Sequence, residues 1–277
     1  MSRRNGQGTG AEAGPGAGPG AGPGVAIAID GPAASGKSTL GAALAERLGY
    51  TCIDSGTAYR AVTLAALRQG VPVHDEPALA TIAQSMDFRI TRPAEADGRQ
   101  YTVLLDGEDV TWHIRSAEVD ANVSAVSAHP RVREAVNERL RRMVAPPGTV
   151  MVGRDIGTVV LPHADLKIFL TASPEARARR RYEELLARGV RSDYGTILEE
   201  LRRRDAYDSG RAAAPLRPAE DAVHLSTDDL SVEQELDIVM QHLGSVLRRR
   251  SDDREPPSPE GRTTRRTAPP ETRRDRP

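Results

Sequence analysis

The stretch VAIAIDGPAASGKSTL, Val25 to Leu40, drives an apolar, β-prone run straight into a turn in which Gly31 and Gly36 flank four small residues. Lys37, Ser38 and Thr39 follow at once, and Leu40, Leu44 and Leu48 then share one helical face at i, i+4, i+8. A strand with no polar alternation is buried on both faces, as in a parallel sheet, and its passage into a helix through so tight a turn is the opening half of a strand-helix-strand unit. That pattern constrains the fold more than any other feature of the chain.

The same alternation continues. YTCID, TVMVG, LKIFLTA and AVHLST read as further buried strands, and Val132, Val136 and Leu140, then Val232, Leu236, Val239 and Leu243, mark helix faces between and after them. The expectation is an α/β fold: a doubly wound, parallel, five-stranded sheet with right-handed crossovers. Residues 87–110 break the rhythm, since DFRIT and YTVLLDGEDV are strand-like with no helix between them, and they predict a small antiparallel insert. Residues 1–24, a Gly/Pro/Ala tract, and residues 248–277, rich in mixed charge and proline, hold too little apolar surface to offset ordering and are expected to be disordered. This leaves a core of 25–247.

The turn has a chemistry. G-x-x-x-x-G-K-S over Gly31–Ser38, set between a strand and a helix, is a P-loop in context: successive backbone N–H groups and the helix N-terminus face an anion, and the glycines let the chain approach its oxygens. A chance match in a Gly- and Ala-rich chain is the bland alternative, and the well-patterned flanks argue against it. Lys37 and Lys167 are the only lysines, against abundant arginine, so an arginine cluster alone says little here while a retained Lys37 says more.

Four further polar stretches fall at or beyond the carboxyl ends of the strands, where a parallel sheet gathers its ligands: DSGTAYR, PRVRE, GRDIGT and RDAYDSGR. With IDGPAASGKST, with GRDIGTVVLPHADLKIFLTASPEARARRRYEEL and with APLRPAEDAVHLST, they make the chain resemble the bacterial cytidylate kinase family over nearly the whole 25–247 span. The resemblance implies a P-loop nucleoside monophosphate kinase with an NMP-binding insert at about 57–148 and a helical lid at about 174–204. Its reaction would be γ-phosphoryl transfer from ATP to CMP or dCMP, with Mg²⁺.

By matching position, the resemblance puts ATP on Gly31, Pro32, Ala33, Ala34, Ser35, Gly36, Lys37, Ser38 and Thr39, and CMP on Ser55, Arg60, Ser124, Arg133, Arg154, Asp155, Arg204, Asp208 and Arg211. Lys37 and Arg154, with the lid residues Arg177 and Arg181, are the expected catalytic cations, because two phosphate groups brought together repel strongly where screening is poor. Ser38 would hold Mg²⁺, and Asp54 either binds a water of that ion or caps the next helix. Ser124 either reads the base or simply packs on an Ala-rich helix, Tyr59 either stacks or packs, and Arg204 and Asp208, four apart, also suit a surface ion pair. Val152 stands where the family often has a polar residue, which implies a drier pocket wall.

Other classes fit less well. The net charge of −1 argues against a nucleic-acid partner, and no run is apolar enough for a signal-peptide core or a membrane span. The lone Cys52 excludes an intramolecular disulfide and suits a reducing cytoplasm, and it lies in a strand where packing is expected. His74, His113, His129, His163, His224 and His242 show no ligand spacing. A monomer is expected. The rival readings are a P-loop kinase for another small acceptor, such as UMP, and a nucleotide-dependent ATPase switch.

Overall fold

Side chains along β1 (Val25–Asp30) alternate between two cores, with Ile27 and Ile29 on one side and Ala28 on the other. The computed structural model describes residues 25–252 except 92, 188, 212 and 213, so both predicted tails up to residue 24 and beyond residue 252 lie outside the described residues. The chain continues through α1 (Lys37–Leu48), β2 (Thr51–Asp54), α2 (Ser55–Arg68), α3 (Glu76–Ser85), β3 (Phe88–Thr91), β4 (Thr102–Leu105), β5 (Glu108–Asp109), α4 (Ala117–Val126) and α5 (Pro130–Arg142). It ends with β6 (Gly148–Gly153), β7 (Leu166–Thr171), α6 (Pro174–Ala187), α7 (Tyr194–Gly210), β8 (Val223–Ser226) and α8 (Val232–Asp252).

The main sheet has the order β2-β6-β1-β7-β8, with every pair parallel. The connection from β1 to β2 runs to one side of β1 and the connection from β6 to β7 passes to its other side, which opens a crevice at the carboxyl ends of β1, β2 and β6. One face packs on α1 and α8 through Leu40, Leu44, Leu236, Val239 and Leu243, each fully buried leucine stabilising by about 1.5–3 kcal/mol. The other face packs on α2 and α5, with Ile53, Met151, Val132, Val136 and Leu140 at its centre. Gly41 lets α1 approach the sheet, since a Cβ there would stand 2.5 Å from Val152 Cγ1. Val152 thus packs against α1, and it also lines the cleft at the carboxyl ends of the strands, as the apolar wall expected there.

The expected insert is present. β3, β4 and β5 pair antiparallel, and Asp106 and Gly107, with φ of 51° and 84°, make the two-residue turn between β4 and β5. One boundary differs from expectation. The final helix passes residue 247 to Asp252, where Arg250 reaches Asp165 of the core at 2.7 Å and Arg248 bonds Ser245 Oγ one turn back in the same helix at 3.2 Å.

Candidate active site

The loop from Gly31 to Gly36 is shaped by what lies behind it. Gly31 adopts φ +151°, and a Cβ on it would stand 2.3 Å from the Leu170 carbonyl oxygen, so no larger residue fits between β1 and β7. Gly36, at φ +93°, turns the chain into α1. Lys37 folds back on this loop, donating to the Pro32 carbonyl and to Ser35 Oγ (3.3 Å). Burial, and then the positive charge of Arg154, hold its ammonium down to about 7. The negative charge of a polyanion in the loop would favour the ammonium and oppose both effects.

Both uses considered for Asp54 are compatible in one geometry. Its Oδ1 accepts from the Gly56 amide (2.9 Å) and caps α2, while its Oδ2 accepts from Ser38 Oγ (3.0 Å) beside the P-loop. The two side chains form an oxygen pair of the kind Mg²⁺ prefers. Among the described residues no three His, Cys, Asp or Glu side chains cluster as a metal cage.

Across a cleft of about 900 Å³ stands the cationic wall. Arg60 of α2 donates to the Ile114 carbonyl (2.9 Å) and pairs with Asp120 (2.6 Å). Arg154, just beyond β6, and Arg211 both contact Asp208, the latter at 3.5 Å. These contacts are close but badly aligned: Arg154 Nε, Asp208 Oδ2 and Arg211 Nη2 are buried without a hydrogen bond. Arg204 makes no hydrogen bond or ion pair among the described residues, and burial together with Arg154 lowers its pKa to about 10. The helical Arg204–Asp208 pair considered from the sequence does not form, because Asp208 is turned toward Arg154 and Arg211. A half-buried guanidinium without a partner, as at Arg204, is costly until an anion arrives.

A second polar group closes the cleft's inner end. Arg133 and Asp155, both nearly inaccessible, form a hydrogen-bonded ion pair, and Arg133 also donates to the Ser127 carbonyl (3.1 Å) and lies 5.4 Å over the Tyr59 ring. Tyr59 packs in the core and donates to Asn137 Oδ1 (3.2 Å), with burial raising its pKa. Ser55 and Ser124 line the same cleft, Ser124 only half-buried.

The lid residues separate. Arg181 lines the cleft and pairs with Glu184 (2.8 Å). Arg177 does not face it: 2 % exposed, it donates to the Ala172 and Ala33 carbonyls (3.0 and 3.2 Å) and grips Asp205 through two bonds (3.1 and 2.6 Å). It ties α6 and α7 to the P-loop, while Ala33 and Ala34 pack against the small core shared by those helices. Arg180 is likewise committed to Thr227, whose hydroxyl donates to the Ser35 carbonyl (3.3 Å). Cys52 is half-buried among apolar neighbours, its thiol pushed up to about 12 by burial, so it packs as expected.

Two partners were not singled out from the sequence. Asp205 sits inside RDAYDSGR, but its mate lies 28 residues away, and no local spacing points to it. Asp30 is more legible in retrospect, as a carboxylate closing a strand buried on both faces.

A parallel five-stranded sheet with a phosphate-binding loop on its central strand, facing a guanidinium-lined cleft, defines a P-loop phosphotransferase. Residues 27–245 match the family model described as cytidylate kinase. A cytidylate kinase of Herpetosiphon aurantiacus is 50% identical over 218 residues, covering 79% of this chain and 93% of that protein. One from an Exiguobacterium species is 51% identical over 208 residues (75% and 91% covered), and one from Pseudomonas aeruginosa is 45% identical over 216 residues (78% and 93%). The chain belongs to the cytidylate kinase family.

Proposed function

We propose that the cleft transfers the γ-phosphoryl group of ATP to the phosphate of CMP or dCMP, releasing ADP and CDP or dCDP. The observation that carries this reading is the unpartnered Arg204 beside Arg154 and Arg60, facing the P-loop across a cleft whose inner end holds the Arg133–Asp155 pair. The amides of Gly31–Thr39 cradle the ATP phosphates, and Lys37 leaves the Pro32 carbonyl for the β and γ oxygens. Ser38 would hold Mg²⁺, with Asp54 reaching it through a water. That ion, when bound, neutralises charge on the donor phosphates.

Arg60, Arg154 and Arg204 receive the acceptor phosphate. One of its oxygens, already ionised near neutral pH, attacks the γ phosphorus while the bond to the ADP oxygen breaks, so positioning and charge stabilisation suffice and no general base is required. Asp155 accepts from the cytosine amine, with Arg133 and Ser124 toward the ring's acceptors; uracil would oppose an oxygen to the carboxylate. Asp208 and Arg211 take the ribose, and Ser55 lies beside the phosphate. Arg181 completes the donor side from the lid, and Arg177 acts from behind by fixing α7 to the loop. We further propose a cytoplasmic monomer; among the described residues no helix is long and apolar enough to cross a membrane.

A coupled assay with ATP and CMP, dCMP, UMP or AMP tests the reading. Turnover highest with CMP and dCMP is expected, and preference for UMP or AMP would overturn it.

A further inference from the structure

Asp30 closes β1 immediately before Gly31, where the donor loop starts, and is only 4 % exposed. Its two carboxylate oxygens are committed across the sheet: Oδ1 accepts from the Ile156 amide and Oδ2 from the Gly157 amide, both at 2.7 Å. Those amides directly follow Arg154 and Asp155, which leave β6 beyond Gly153, the residue opposite Asp30 in the ladder. Behind them, Gly157 is hemmed in, since a Cβ there would stand 3.2 Å from Lys167 Cδ and 3.3 Å from Asp30 Oδ2. Lys167 offers Asp30 no ion pair; its ammonium donates to Asp221 (2.9 Å).

We propose that Asp30 is a positioning residue for the transfer reaction, setting the separation and orientation of donor and acceptor by pinning the Arg154–Asp155 corner to the start of the P-loop. The inference rests on the functional reading above. Three facts favour this over a generic buried contact. The carboxylate is spent wholly on two adjacent main-chain donors. The residue after it binds one substrate and the two residues before its amides bind the other. Among the described residues no side-chain cation forms an ion pair with it; the two amides and the more distant charge of Lys37 only partly offset burial, which raises its pKa to about 6, so a carboxylate stands where an amide or apolar residue would cost less to bury.

Asp30→Asn keeps one acceptor but turns an NH₂ group toward an N–H donor, so one bond is lost and the corner shifts. A displacement near 1 Å in such a site costs on the order of 100-fold in rate. The expected result is a loss of that order in kcat/KM for CMP with ATP affinity, measured by equilibrium titration, within about twofold of wild type. Because Asp30 acts through the corner that carries Arg154 and Asp155, Asp30→Asn should cost clearly less in an Arg154→Ala background than in wild type, whereas losses that multiply in full would show an independent structural effect. Gly157→Ala, which crowds the same corner from the far side, should reproduce the split if Asp30→Asn does not fold. Wild-type turnover in the single variants, or multiplying losses in the double, overturns the inference. Absence of CMP phosphorylation in the wild-type protein would instead overturn the functional reading beneath it.

Discussion

The two walls of the cleft are built on opposite principles. The donor wall is mostly main chain: a loop fixed by Gly31 and Gly36, a lysine resting on that loop's own carbonyl, and Ser38 hydrogen-bonded to Asp54. The acceptor wall is side chain from separate elements, with Arg60 on α2, Arg154 after β6 and Arg204 on α7, and its polar atoms are imperfectly matched. A loop that satisfies itself holds its shape before ligand arrives. A wall with an unpaired guanidinium gains its best partner only when an anion enters, so binding energy there can be directed to aligning the acceptor.

The sharpest way to break this contrast is to remove a cation from the acceptor wall. Arg154→Ala should lower turnover by about 100- to 1,000-fold while ATP binding changes little, as steady-state kinetics beside an ATP titration will report. If donor affinity falls as far as turnover, the walls do not act separately. Comparable in size is the effect of breaking the inner pair. Arg133→Met leaves Asp155 buried and unpaired and should cost about 3–5 kcal/mol of stability by denaturant unfolding, with discrimination of CMP from UMP reduced in the survivor. Unchanged stability would place that pair in water.

The smallest effect tests the donor side. Lys37 has a folded pKa of about 7, below its value in an unfolded chain, so it is largely neutral at about pH 8 and contributes stability that rises with pH through that window. ATP should restore its charge. Calorimetry in buffers of different ionisation enthalpy should then show proton uptake on ATP binding at about pH 8, lost in Lys37→Met.

Much of this was legible in the sequence for physical reasons. Strands buried on both faces have no polar alternation, so all five core strands and the P-loop stood out, whereas YTVLLDGEDV read as one strand-like run and its turn at Asp106 and Gly107 did not. The conformation of residues 156–160, a π-helical turn, was not legible, because it is held by Asp30 from more than a hundred residues away. The arginines of α6 could not be ranked. Arg177, Arg180 and Arg181 look alike in a run, yet Asp205 buries the first, Thr227 takes the second, and only the third faces the cleft.

The account turns on Arg204 and its neighbours recognising a phosphate monoester. Calorimetric titration of CMP and of cytidine, which lacks the phosphate, into wild type and Arg204→Ala measures this directly. The account predicts that CMP binds wild type at least about 100-fold more tightly than cytidine, and that most of this difference disappears in the variant. Equal affinities for the two ligands in the wild-type protein, or a difference untouched by the substitution, would contradict it.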